Sequence, residues 1–369
     1  MNVDVLGRAG IAPVNQSKLA VADCDIHPRV RGLTALYPWL SKRWQDHIEA
    51  YGTPQRQPQV TGPAFPKGQP AASRRDSWPP GGGGPGSDLD FMRAQHLDPN
   101  NVQLGILNPL TPSGQGFMNG ALGTAVARAV NEWQVVEWTS REPRLKASIV
   151  VQYEDAARSV EEIEHWAGHP DFAQVLLLSR AGEPLGQRRY WPIYEAAAAA
   201  GLPVAVHAFG YGGQPVTSGG WPSYYIEETV GHAACQQADL TSLVLEGVFD
   251  RLPNLRMVMV EAGFGWAPPL AWRLDKHWAT LRSEVPHVRR PPSEYIREQV
   301  WFTTQPMEEP EPRTHLLDTI GWIGWDRLLF ATDYPHWDFD DPATALPLRL
   351  TETQRRQFFA GNAFALYGV

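Results

Sequence analysis

Eight short apolar runs, most of them followed by a helix-length segment, recur through this chain at spacings that leave few folds to choose from. Runs of four to eight apolar residues bounded by turn signals read as buried strands. They fall at residues 19–28, 102–107, 145–151, 175–178, 202–207, 256–261, 300–304 and 327–332. After the first run, helical patterning covers 33–51 and, briefly, 88–96. It returns over 119–139, 154–167, 189–200, 223–248, 266–282 and 311–321, and a last helix closes the chain at 352–360. Alternating β and α elements require a parallel sheet, and eight of them predict a closed (β/α)8 TIM-type barrel of the α/β class. The other arrangement is an open doubly wound sheet. No strand-to-helix turn carries the G-x-G-x-x-G or Walker sequence that would accompany it.

A chain of 369 residues accommodates such a barrel as one unit. We read residues 1–18 as an N-terminal arm and 19–369 as the barrel. After the first strand it is interrupted by a Pro/Gly-rich excursion over 52–86, with GGGGPG at 81–86. Long stretches of this kind are either solvated loop or functional cover. Phe65 and Trp78 keep the second role open, as a cap on the site or a contact with another subunit. The formal charge of −8 speaks against nucleic acid and anionic membrane as partners. No apolar run approaches the roughly 20 residues of a membrane span. The N-terminus MNVDVLGRAG lacks the basic and apolar regions of a signal peptide. Two cysteines, Cys24 and Cys235, suit a reducing compartment. The expectation is a cytoplasmic protein with a small-molecule substrate.

In a parallel barrel the residues that close each strand gather at one mouth, where chemistry sits. The first run, LAVADCDIHP, ends with Asp23, Asp25 and His27 on one face by period-2 alternation, and Cys24 and Ile26 on the other. The fifth ends in His207, the sixth in Glu261 and the eighth in Asp333, with His336 in the loop beyond. Several carboxylates buried at one spot need a compensating cation. A divalent metal is therefore expected, and mixed nitrogen and oxygen donors suit zinc first, with iron or manganese as alternatives. Arg29, with Arg31 beside it, is placed to pair with a substrate carboxylate. Trp266 and Trp337, with Trp221 and Tyr224, are placed to wall a pocket. His232 and His277 read as structural.

The order of D-x-H on the first strand, His on the fifth and Asp on the eighth resembles the amidohydrolase superfamily. It is most similar to the amidohydrolase-related branch that includes aminocarboxymuconate-semialdehyde and resorcylate decarboxylases. GVFDRLPNLRMVMVEAGFGWAPPLAWRLD (247–275), LLFATDYPHWD (328–338) and the terminal GNAFALYGV extend the match over roughly residues 20–368. The resemblance implies metal ligation by Asp25, His27, His207 and Asp333, with Asp25 where many members have His or Glu. It also implies a metal-dependent enzyme that hydrolyses or non-oxidatively decarboxylates a small carboxylate-bearing substrate.

One position departs from the family. Members commonly carry a catalytic His on the sixth strand, where this chain has Glu261. Glu261 can act as a base if desolvation raises its pKa, with His336 as the other candidate for handling the proton. Alternatively Glu261 and His336 ligate a second metal, as implied by relatives that are dinuclear iron or iron–manganese oxygenases, such as α-aminoisobutyrate hydroxylase. A third alternative is a non-catalytic metal-binding subunit. A homo-oligomer, or a hetero-oligomer with a homologous barrel, is the expected assembly.

Overall fold

The apolar runs become eight parallel strands, hydrogen-bonded in chain order. They are β1 (Val21–Ile26), β2 (Val102–Leu107), β3 (Leu145–Val150), β4 (Phe172–Leu178), β5 (Val204–His207), β6 (Met257–Val260), β7 (Val300–Thr303) and β8 (Leu328–Leu329). This computed structural model describes residues 19–54, 72–211, 215–346 and 348–369. The proposed arm at 1–18 and residues 55–71 of the excursion lie outside the described residues. The ring closes between the last strand and the first. Cys24 N–H donates to Phe330 O (2.9 Å) and His27 N–H to Tyr334 O (2.8 Å), and Ile26 bridges Tyr334 in parallel. Helices cover the outside of the ring. Strands covered on both faces read as near-continuous apolar runs, as in FAQVLLL of β4, every residue of which is buried. No described helix is long and apolar enough to cross a membrane.

Some elements differ from the sequence reading, each for a local reason. The helix expected over 33–51 divides into a 3-10 helix at Leu33–Trp39, with Pro38 inside it, and an α-helix at Lys42–Tyr51. Proline has no N–H to continue a helical ladder. The helix expected over 223–248 ends at Leu245, because Gly247 turns left-handed (φ 84°) before a separate turn at Val248–Arg251. Two helices were not anticipated: Pro292–Gln299, entered through prolines, and Asn362–Tyr367 at the chain end. β8 stops at Leu329 rather than 332. Beyond it the Thr332 N–H and hydroxyl both turn to the Asp23 carboxylate.

Asp23 itself corrects the alternation argument. The pairing of β1 with β2 shifts register between Asp23 and Ile26, so the strict period of two does not hold there. Asp23 is taken by His96 Nε2 (2.8 Å) and by Thr332, while Asp25 alone of the two carboxylates faces His27 and His207.

Residues 72–86, the described end of the excursion, lie against the mouth. Ser73 bridges His336 in antiparallel fashion, Arg74 N–H donates to Pro335 O (3.0 Å), and Trp337 N–H donates to Ala72 O (2.9 Å). Arg29 N–H donates to Gly86 O (2.8 Å). Gly86 has φ 75°, and a Cβ there would clash with the His27 carbonyl, so this approach requires glycine.

Candidate metal centre

Two imidazoles are oriented by acceptors that can only accept. His27 Nδ1 donates to the carbonyl of Asn108 (2.8 Å), and His207 Nδ1 donates to the carbonyl of Ala208. Commitment of the Nδ1 proton leaves Nε2 of each neutral ring with its lone pair. Yet His27 Nε2 faces Asp333 Oδ1 (2.8 Å) and Asp25 Oδ1 (3.2 Å), and His207 Nε2 faces Glu261 Oε2 (2.8 Å) and Asp25 Oδ2 (3.4 Å). Lone pairs this close repel unless a proton or a cation stands among them. Asp25 Oδ2, His27 Nε2 and His207 Nε2 are buried with no hydrogen-bond partner among the described residues. Donor atoms of Asp25, His27, His207 and Glu261 all lie within 4.8 Å of one another, and so do those of His27, Glu261, Asp333 and His336. This nitrogen and oxygen donor set fits a divalent cation.

The backbone is bent to bring the carboxylates in. Glu261 (φ 55°) and Asp333 (φ 61°) adopt the left-handed region, an uncommon state for side-chain-bearing residues that costs roughly 1–3 kcal/mol and concentrates at functional sites. Glu261 N–H donates to Thr303 Oγ1 (3.0 Å). Gln305 Nε2 donates to Asp333 Oδ2 (3.3 Å), and His336 Nδ1 lies 2.6 Å from Asp333 Oδ1. Asn108 holds two candidate ligands at once, through its carbonyl to His27 and through Nδ2 to Asp25 Oδ1 (2.8 Å). Asn108, Thr303 and Gln305 escaped the sequence reading. Asn108 follows β2 directly, Thr303 ends β7 and Gln305 lies just beyond it, so the rule that found His207 would have found them.

Burial works against a charge on His207, but the Asp25 and Glu261 carboxylates push it up to about 10. Burial likewise opposes ionisation of Asp25 and Glu261, and the facing imidazoles overcome it and hold both below the usual carboxylate range. The raised pKa on which a role for Glu261 as a base was conditioned is therefore not what this arrangement produces. Burial and the neighbouring His27 lower His336 to about 4.

Farther along the same loop, burial raises Asp340 to about 7, although Met307 N–H donates to its Oδ2 (3.1 Å). The folded chain keeps that proton to about pH 7, whereas an unfolded Asp releases it near pH 3.9. Between those values folding takes up a proton, so this group lowers stability as pH rises. Asp340→Asn, neutral throughout, is expected to make stability fall less steeply between about pH 4 and pH 7. Urea unfolding at several pH values checks it; an unchanged slope would reject the assignment.

The cluster opens into a cavity of about 330 Å³. Arg29, His336, Trp337 and His232 line it. Trp266 does not. It lines an adjoining cavity of about 560 Å³, because its indole N–H is tied back to Ala262 O and Gly263 O. Arg31 pairs with Asp88 at the surface (3.1 Å). His277, Trp221 and Tyr224 are exposed and lie outside the cavity lining.

The amidohydrolase family profile matches residues 22–369. The γ-resorcylate decarboxylase of Polaromonas sp. (strain JS666) is 24% identical over 298 residues, covering 76% of this chain and 87% of that one. The same fold occurs in 5-carboxyvanillate decarboxylase from Sphingomonas paucimobilis, with a TM-score of 0.69 at 19% identity over 95% of this chain and 99% of that one. It also occurs in the dihydroxybenzoic acid decarboxylase of Polaromonas sp. JS666, solved with bound manganese and the inhibitor 2-nitroresorcinol. There the TM-score is 0.63 at 18% identity over 96% of this chain and 97% of that one.

Proposed function

Because this chain belongs to the amidohydrolase family, we propose that it is a metal-dependent carboxy-lyase that decarboxylates a small aromatic acid without oxidation. The observation that carries this reading is the convergence of Asp25 Oδ2, His27 Nε2 and His207 Nε2, buried and without hydrogen-bond partners among the described residues, at the mouth of a barrel. The relatives described above, decarboxylases of γ-resorcylate and 5-carboxyvanillate, support the choice of reaction. The manganese in one neighbour supports manganese alongside zinc as the ion.

Asp25, His27, His207 and Asp333 are the proposed ligands, and a divalent ion held there supplies Lewis-acid polarisation of substrate oxygens. Arg29 at the cavity wall pairs with an anionic substrate group, and Trp337 walls the ring. Asn108 keeps Asp25 and His27 in their ligating orientation. In the reaction the bond between ring carbon and carboxylate breaks, its electron pair stays on the ring carbon, a proton is added there, and carbon dioxide leaves. Glu261, held ionised, and His336 border the cavity and pass that proton to the ring carbon from water. With Nδ1 turned to Asp333, His336 has Nε2 left to hold it.

One observation favours a second reading. Glu261 and His27 belong to two overlapping donor groups, and a carboxylate stands where a histidine is usual. Two ions, with Glu261 and His336 among the ligands of the second, would suit oxygen chemistry instead. The test is metal content per chain, with carbon dioxide release from γ-resorcylate and 5-carboxyvanillate followed under nitrogen and in air. One ion per chain and equal release in both atmospheres is the expected result. Two ions including iron, with oxygen consumed and no anaerobic release, would overturn the lyase and favour the oxygenase.

A further inference from the structure

We infer that the last helix of the chain orients the metal-ligating carboxylate of Asp25, through a one-way chain of hydrogen bonds from Tyr367 across the barrel interior. The inference rests on the ligand assignment above and is independent of the reaction.

Each link is forced by the one before it. An ionised carboxylate only accepts, so Asn108 must turn its Nδ2 to Asp25 Oδ1 (2.8 Å). Asn108 Oδ1 then points the other way and needs donors, which are Ser148 Oγ–H (2.8 Å) and Gln174 Nε2 (3.0 Å). With its nitrogen so committed, Gln174 presents Oε1 on its far side, where the Tyr367 hydroxyl donates (2.8 Å). Asp25, Asn108, Ser148 and Gln174 are all 0% exposed, so bulk water does not reach them in the folded chain. Burial also pushes the Tyr367 hydroxyl well up, which keeps it a donor. Losing it removes the one donor Gln174 Oε1 has among the described residues. A flip of Gln174 would then set oxygen against Asn108 Oδ1, and a compensating flip of Asn108 would set oxygen against Asp25.

The helix that carries Tyr367 is anchored by other bonds. Asn362 Nδ2 donates to Leu328 O (2.8 Å) and Trp325 O (2.6 Å), and Arg256 Nη1 donates to Leu366 O (2.6 Å). Removing the hydroxyl alone therefore tests orientation rather than attachment. Tyr367 and Gln174 are positioning residues, since neither touches the donor cluster.

The experiment measures Mn²⁺ affinity of the chelator-stripped full chain for wild type, Tyr367→Phe, Gln174→Glu and Tyr194→Phe. The last removes a buried hydroxyl bonded to Leu185 O elsewhere in the fold. Loss of outer partners of metal ligands typically weakens binding by about 10- to 100-fold. Gln174→Glu, which cannot donate to Asn108, is expected in that range, and Tyr367→Phe at its lower end. Tyr194→Phe is expected to bind like wild type. The visible spectrum of the Co²⁺-loaded Tyr367→Phe chain should also shift, while circular dichroism of the metal-free variants stays unchanged. Wild-type affinity in both Tyr367→Phe and Gln174→Glu would overturn the inference alone. A wild-type chain that binds no Mn²⁺ would overturn the ligand assignment with it.

Discussion

His207→Ala is expected to remove most of the bound metal and to lower kcat/KM by about a thousandfold or more, equivalent to roughly 4 kcal/mol of transition-state stabilisation. The size follows from the position of the ring. Its Nε2 lies between Asp25 and Glu261, with Nδ1 committed to a carbonyl, so among the described residues it is the nitrogen donor that faces both of these carboxylates. A bound divalent ion contributes several kcal/mol by polarising the reacting oxygens, and that contribution disappears with it. The same change leaves the buried Asp25 carboxylate and the half-buried Glu261 carboxylate facing a void. Breaking a buried charge pair from one side costs about 3–5 kcal/mol, so the variant is expected to melt at lower temperature in the metal-free state. Misfolding is separated from ligand loss by adding imidazole, which can enter the void and restore the donor. Recovery of metal content and part of the turnover with imidazole is the expected pattern. A full complement of metal in His207→Ala without imidazole would remove the cluster from consideration as the metal centre.

The strand-end rule made much of this site legible because it depends only on fold and chain order. Asp25, His27, His207, Glu261 and Asp333 each terminate an apolar run, and a parallel barrel delivers such residues to one mouth. The same rule extends to Asn108, which follows β2 directly, but not to Gln174 and Tyr367, which lie within β4 and a helix that the patterning does not predict. Sequence patterning records faces and periods, not hydrogen-bond polarity. Alternation misplaced Asp23 because a register shift between paired strands is a property of two segments roughly eighty residues apart. Trp266 walls the adjoining cavity rather than the one over the cluster for a related reason. Its place after the sixth strand was right, but the direction of its ring is fixed by two carbonyls in its own turn.

Glu261→Gln separates the two chemical readings most sharply. The substitution keeps size and shape and removes one negative charge opposite His207. Under the lyase reading, Glu261 takes part in moving the proton, and positioned acid–base groups contribute about 10²- to 10⁴-fold. Then kcat is expected to fall by about a hundredfold or more, with KM changing much less and one metal ion per chain retained. A histidine at this position supplies an alternative proton carrier, so Glu261→His should recover more turnover than Glu261→Gln. Under the two-ion reading the carboxylate belongs to both donor groups, and its amide replacement loses an anionic ligand. Metal content would then drop from two ions to one, and oxygen uptake would disappear with the second. Elemental analysis of the glutamine variant beside wild type therefore decides whether Glu261 serves as a proton carrier or as a ligand. The strained backbone at Glu261 (φ 55°) is consistent with either use, since both require the carboxylate to leave the line of its strand and face His207.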